Sequence, residues 1–142
     1  MNDNYIKETA KTIMAQLGCN AGMGFARVTG SRNFTCGQDE KGRPYLRFSL
    51  CRDLKNYLPE AKVVPNRCTV FYNAGADDYD MVFERFTAPR CVFNRKTCEV
   101  KTYPSKLAVT SKHEGIYCDQ LQELFEKDTN LLLDFCRVRF SA

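Results

Sequence analysis

Apolar positions along this chain recur at two spacings, and the change from one to the other divides it. Between Tyr5 and Leu17 the residues Ile6, Ala10, Ile13 and Leu17 follow one another at intervals of four, three and four, the signature of one helix face. Asp3 or Asn4 caps the start of this helix and Gly18 ends it. The glycine-rich stretch Gly18–Gly24 follows a helix rather than a strand and lacks the Gly-Lys-Ser/Thr ending of a phosphate loop, so it reads as a connection. From Phe25 onward the period becomes two. Phe25–Thr29 and Phe34–Cys36 are expected strands on either side of a turn at Gly30–Asn33. After the turn chemistry of Gly37–Pro44, Tyr45–Cys51 alternates cleanly, with Leu46, Phe48 and Leu50 on one face and Tyr45, Arg47 and Ser49 on the other. Such alternation belongs to a sheet covered on one side only.

The segment 52–66 is irregular, bracketed by Pro59 and Pro65, with room for one helical turn around Leu54–Leu58. Cys68–Tyr72 and Tyr79–Phe86 form an expected hairpin across Asn73–Asp78, and Cys91–Phe93 and Thr97–Tyr103 another across Asn94–Lys96. Residues 104–115 read as a basic loop or a short strand around Leu107–Val109. A second helix is expected over Tyr117–Thr129, with Tyr117, Leu121, Leu124 and Phe125 inward and Asp119 in its first turn, where a carboxylate complements the dipole. The tail Leu131–Phe140 either extends that helix or ends in an edge strand at Cys136–Phe140. The expected fold is α+β: one domain over residues 1–142, a curved antiparallel sheet of five or six strands, and N-terminal and C-terminal helices packed on one face.

Composition narrows the function classes. The 142 residues are 44% hydrophobic and 12% aromatic, enough for one buried core. No run approaches the roughly 20 apolar residues that span a bilayer. The polar N-terminus has no signal-peptide core, so a cytoplasmic location without membrane association is expected. There the eight cysteines are expected to be thiols. They are scattered, none closer than Cys91 and Cys98, whereas a structural zinc site needs ligand pairs two to four residues apart. With His113 as the lone histidine, Cys–His and Ser–His nucleophilic chemistry has little to draw on. No cofactor and no enzymatic activity are expected.

The net charge of +4 conceals blocks. Residues 27–67 hold nine Lys/Arg against four acids and 85–112 hold seven against Glu99, whereas 68–84 holds acids alone and 113–134 is five charges negative. Placed on different faces, such blocks steer association; alternating around the surface, they serve solubility.

Four constellations carry possible chemistry. Asp77, Asp78 and Asp80 could hold a divalent metal, with Asp78 and Asp80 about 7 Å apart on one strand face, but turn capping explains them more simply. Basic and aromatic residues are interleaved at Tyr45 and Arg47, and again at Arg90, Arg95, Lys96, Lys101 and Tyr103. That mixture suits single-stranded nucleic acid, with cations on phosphates and rings on bases, although Tyr and Arg also cover a half-exposed sheet without any ligand. A pI near 8.6 is below the range of a dedicated nucleic-acid binder. Cys91 and Cys98 are expected to face each other across their hairpin, and His113 to lie in a polar surface loop without a partner.

Several strings occur together in a telling order: TAKTIMAQLG (9–18), VTGSRNF (28–34), LRFSL (46–50), DDYDMVF (77–83) and EGIYCDQLQELFEKDTNLLL (114–133). In this order they resemble a family of small uncharacterised phage and mobile-element proteins, from which the chain departs by longer connections at 37–44, 53–67 and 88–106 and by Ile116 in place of Val. The resemblance implies a home in a phage or integrated element, hence the host cytoplasm, and carries no functional residue across. The resulting expectation is an accessory protein that binds a macromolecule, leaning to an inhibitor or modulator of a host nucleoprotein or defence factor through Arg90, Arg95, Lys96 and Lys101. The alternatives are a single-stranded DNA- or RNA-binding protein using Tyr45, Arg47 and Tyr103, and a metal-dependent nuclease using Asp77–Asp80. Oligomeric state is not legible.

Overall fold

A computed structural model describes residues 3–18 and 29–131. The expected connection over 19–24, most of the strand expected at Phe25–Thr29 and the tail beyond Leu131 lie outside the described residues; Thr29 itself is helical rather than extended. Helix α1 (Asp3–Leu17) leads to strands β1 (Arg32–Gln38), β2 (Pro44–Ser49), β3 (Arg67–Asn73), β4 (Asp78–Thr87), β5 (Arg90–Asn94), β6 (Glu99–Tyr103) and β7 (Lys106–Ile116), and then to helix α2 (Leu121–Thr129). Single 3-10 turns stand at Leu54–Asn56 and Cys118–Gln120. The main sheet has the order β1-β2-β3-β4-β7, antiparallel throughout, and β5 pairs with β6 alone. The fold is thus α+β, as the two periodicities predict. No helix among the described residues is long and apolar enough to cross a membrane.

Alternation sorts the sheet into two faces. On the inner face the register stacks Leu46, Val70, Met81 and His113 in one row and Phe48, Cys68, Phe83 and Ser111 in the next. Ala10, Ile13 and Leu17 of α1 and Leu121 and Phe125 of α2 close over this face. The Phe125 ring sits 6.1 Å from Phe48 and 5.8 Å from Phe83, so α2 is fastened at the centre of the core. Gln122 donates to the Gly18 carbonyl at the end of α1, and Asn130, in the left-handed conformation that ends α2, donates from its side chain to the Tyr57 carbonyl.

Three expectations are corrected. Residues 106–116 form an eleven-residue strand, not a loop or short strand, because β4 offers a full-length partner. Tyr117 is 60% exposed rather than inward, since the chain enters α2 through a 3-10 turn that rotates it out of the helical face. Cys91 lies opposite Thr102 and not Cys98, because Cys98 takes a positive φ and belongs to the turn, making Asn94 and Glu99 the last pair.

Candidate docking surface

No described helix covers the outer face of the sheet. Its rows are Tyr45, Phe71 and Asp80; then Arg47, Thr69, Val82 and Lys112; then Ser49, Arg67 and Glu84. Three arginines lie over three rings: Arg43 over Phe71, Arg47 over Tyr45 and Arg67 over Phe86, at 4.6, 4.7 and 4.8 Å from the ring centres. Two of the three also meet carboxylates. Arg43 donates to Asp39 at 2.8 Å and to Asp80 at 2.6 Å, and Arg67 donates to Glu84 at 2.6 Å. Arg47 donates to the Thr69 hydroxyl and, among the described residues, pairs with no carboxylate. The Tyr45 ring also crosses Gly37 of the edge strand, where a Cβ would stand 2.8 Å from the phenol oxygen. Tyr45 is therefore held between Gly37 and Arg47, a geometry that serves sheet cover before it serves base stacking.

The acidic cluster is taken up by the protein's own donors. Asp77 accepts from the Tyr72 phenol, Asp78 from Asn73, and Asp80 from Arg43, Asn73 and the Gly115 amide. Gly115 has φ +63° and sits at a bulge in β7, so the Asp80 carboxylate fills a gap in the ladder. Burial pushes the Asp80 carboxyl up, but these hydrogen bonds outweigh it and the group ends below its ordinary value. The Tyr72 phenol is pushed up to about 12 by its bond to Asp77, with burial second.

Beyond Glu84, β4 and β7 run on past the edge of β3 as a two-stranded arm, pairing Arg85 with Ala108, Phe86 with Leu107 and Thr87 with Lys106. Pro89 and Pro104, which have no amide hydrogen to donate, stand in the two short links where the arm gives way to the β5–β6 hairpin. Every residue from Arg85 to Val109 is exposed. On the hairpin one face carries Arg90, Val92, Lys101 and Tyr103, with Arg90 lying 4.7 Å over the Tyr103 ring, and the other carries Cys91, Phe93, Val100 and Thr102. Phe93 and Val100 are 58% and 60% exposed, and Leu107 and Val109 add 55% and 58% at the base. Six Lys/Arg stand against Glu99 alone between Arg85 and Lys106.

The structure therefore splits the seven expected site residues. Tyr45 and Arg47 share the outer face of the main sheet, Arg90, Lys101 and Tyr103 share one face of the hairpin, and Arg95 and Lys96 occupy its turn.

His113 is not in a surface loop. It stands in β7 with its side chain 23% exposed, and its Nε2 donates to Asp128 of α2 at 2.7 Å, while Ser111 donates to the same carboxylate oxygen at 2.5 Å. The carboxylate is the hub: Ser111 and His113 both bond Asp128, and the serine–imidazole contact of a nucleophilic triad is not made among these residues. This group clamps α2 to the sheet. The i, i+2 spacing of Ser111 and His113 and the placement of Asp128 near the Phe125 face of α2 were readable, but their meeting needed the sheet register. Cys68 lies in the same inner-face row as Ser111, and burial drives its thiol well above its ordinary range. Cys36, Cys91, Cys98 and Cys118 are exposed free thiols.

Comparison of the chain with protein-family models, with curated proteins and with solved structures finds no match in any of the three.

Proposed function

We propose that this chain is a non-enzymatic binding protein that docks its arm on an acidic protein surface. In keeping with the resemblance in its sequence, we take it as an accessory factor of a phage or mobile element, acting in the host cytoplasm on a host nucleoprotein or defence factor. The arm carries this reading. It projects past the sheet, every residue of it is exposed, and it joins a cationic face to an apolar one. A phosphate backbone would satisfy Arg90, Arg95, Lys96 and Lys101 but leave Phe93, Val100 and Cys91 in water; a protein groove with an acidic rim accommodates both faces.

Direct binding of single-stranded nucleic acid is the second reading, favoured by Arg47 standing without a carboxylate on the uncovered face. Against it, a base would have to displace Arg47 from Tyr45. A nuclease using Asp77, Asp78 and Asp80 would have to break the hydrogen bonds these carboxylates already accept.

The test is capture from nuclease-treated host lysate on the immobilised chain, beside a variant with Arg90, Arg95, Lys96 and Lys101 all changed to Glu. The expected result is one acidic protein retained by the native chain, released by salt and absent from the variant. Capture that the charge reversal does not affect would refute arm docking. So would retention of nothing, beside a labelled oligonucleotide that binds with a steep salt dependence.

A further inference from the structure

An open cleft of about 610 Å³ lies between the start of β1, the 51–66 loop and the base of the arm, bordering the core at Leu50 and Leu54. Its lining includes Arg32, Arg52, Lys55, Lys62 and Arg85, and no carboxylate. These cations come from three separate parts of the chain. None of the five forms an ion pair among the described residues. Asp53 and Glu60 are on the same loop and do not line the cleft, although Asp53 bonds the thiol of Cys51, which does.

The frame around the cleft is fixed. Leu50 donates its amide to the Asn66 carbonyl, and Asn66 donates its own to Glu84, which fastens both ends of the loop to the sheet. The Asn66 side chain exchanges two 2.8 Å hydrogen bonds with the Phe86 backbone, locking the loop to the arm. Arg32, half-buried, donates to the Leu50 carbonyl at 2.9 Å. Leu50, Leu54 and Pro65 are buried in the lining and supply an apolar floor.

Five like charges around one cleft, none with an ion-pair partner of its own among the described residues, repel one another, and an anion relieves the repulsion. Guanidinium groups suit phosphate oxygens because their planar fork bonds two at once. The volume is in the range of pockets that hold small organic ligands, and the apolar floor gives a ring or sugar something to rest on. We infer that this cleft binds a multiply charged phosphate ester of nucleotide size, with Arg32 and Arg85 on its walls and Lys55 and Lys62 at its mouth. The site is separate from the arm's docking face.

Calorimetric titration of the full chain in low salt with inorganic pyrophosphate, ATP and uncharged adenosine tests this. The expected result is binding of ATP and pyrophosphate, none of adenosine, and at least a tenfold weakening in the Lys55→Gln/Lys62→Gln variant, whose altered side chains are exposed and make no ion pair. An Arg90→Gln/Lys101→Gln variant keeps full affinity, which separates this site from the arm. Absence of heat with ATP and pyrophosphate at millimolar concentration overturns the inference, as does equal affinity in the Lys55/Lys62 variant or equal loss in the arm variant. A twelve-nucleotide single strand binding far more tightly than ATP, with the same dependence on Lys55 and Lys62, would also overturn it and assign the cleft to a polymer's phosphates.

Discussion

Asp80 joins four segments through one carboxylate: the Arg43 turn, Asn73 at the end of β3, its own strand β4, and the Gly115 bulge of β7. Removing one acceptor oxygen sets an amide N–H₂ against another donor. Asp80→Asn is expected to cost about 2–3 kcal/mol in urea unfolding, the scale of hydrogen bonds to a charged group in a buried site. Asp77→Asn, which touches only the exposed-side Tyr72 phenol, is expected to cost less than about 1 kcal/mol. Similar losses at the two positions would mean that Asp80 does not organise the bulge. At this scale the sequence showed that the three aspartates are turn and strand-entry residues, but it could not show that Asp80 differs from its neighbours. That difference depends on Arg43 and Gly115, 37 and 35 residues away.

The elements divide by how local their signals are. β2 was legible because Leu46, Phe48 and Leu50 alternate with polar residues over a strand that is buried on one face only. α1 was legible for the same reason at the helical period. β7 was not, because its first half is exposed on both faces and its second half carries a bulge at Gly115, so no single period runs through it. The arm is the consequence. Its β5–β6 hairpin pairs only with itself, so replacing residues 88–105 by Asn-Gly, joining Thr87 to Lys106 across their existing pair, is expected to change unfolding free energy by less than about 1 kcal/mol. The same variant is expected to lose the arm-dependent partner. A large loss of stability on excision would show that the hairpin packs on the body instead of projecting from it.

For the molecule as a whole, stability has an acid edge and an alkaline edge. Burial raises the Asp39 and Asp80 carboxyls, but hydrogen bonds, chiefly from Arg43 and the Gly115 amide, hold both below their ordinary value of 3.8 in the folded state. Their contribution is present above that value and is lost as pH falls through the lower folded-state values. Tyr72 has the opposite sign: its phenol rises from 10.0 to about 12, so its contribution is complete below pH 10 and disappears as pH approaches 12. Thermal unfolding across pH is therefore expected to show an Asp39→Asn/Asp80→Asn deficit that shrinks below about pH 4, and a Tyr72→Phe deficit that closes between about pH 10 and 12. Parallel curves at either edge would count against the corresponding hydrogen bonds.

The blocks of charge along the chain were countable from composition, but their destinations were not. The basic block at 85–112 became a projecting arm except for Lys112, which stays on the main sheet, and part of the block at 27–67 joined Arg85 around one cleft. Period and turn chemistry act over a few residues, so the amino-acid order alone determined the α+β class, the covered face of β2 and the first helix. Which distant cations share a cleft, which carboxylate closes a bulge and which histidine meets α2 were decided only by strand register and helix placement. These bring together side chains that no local spacing relates.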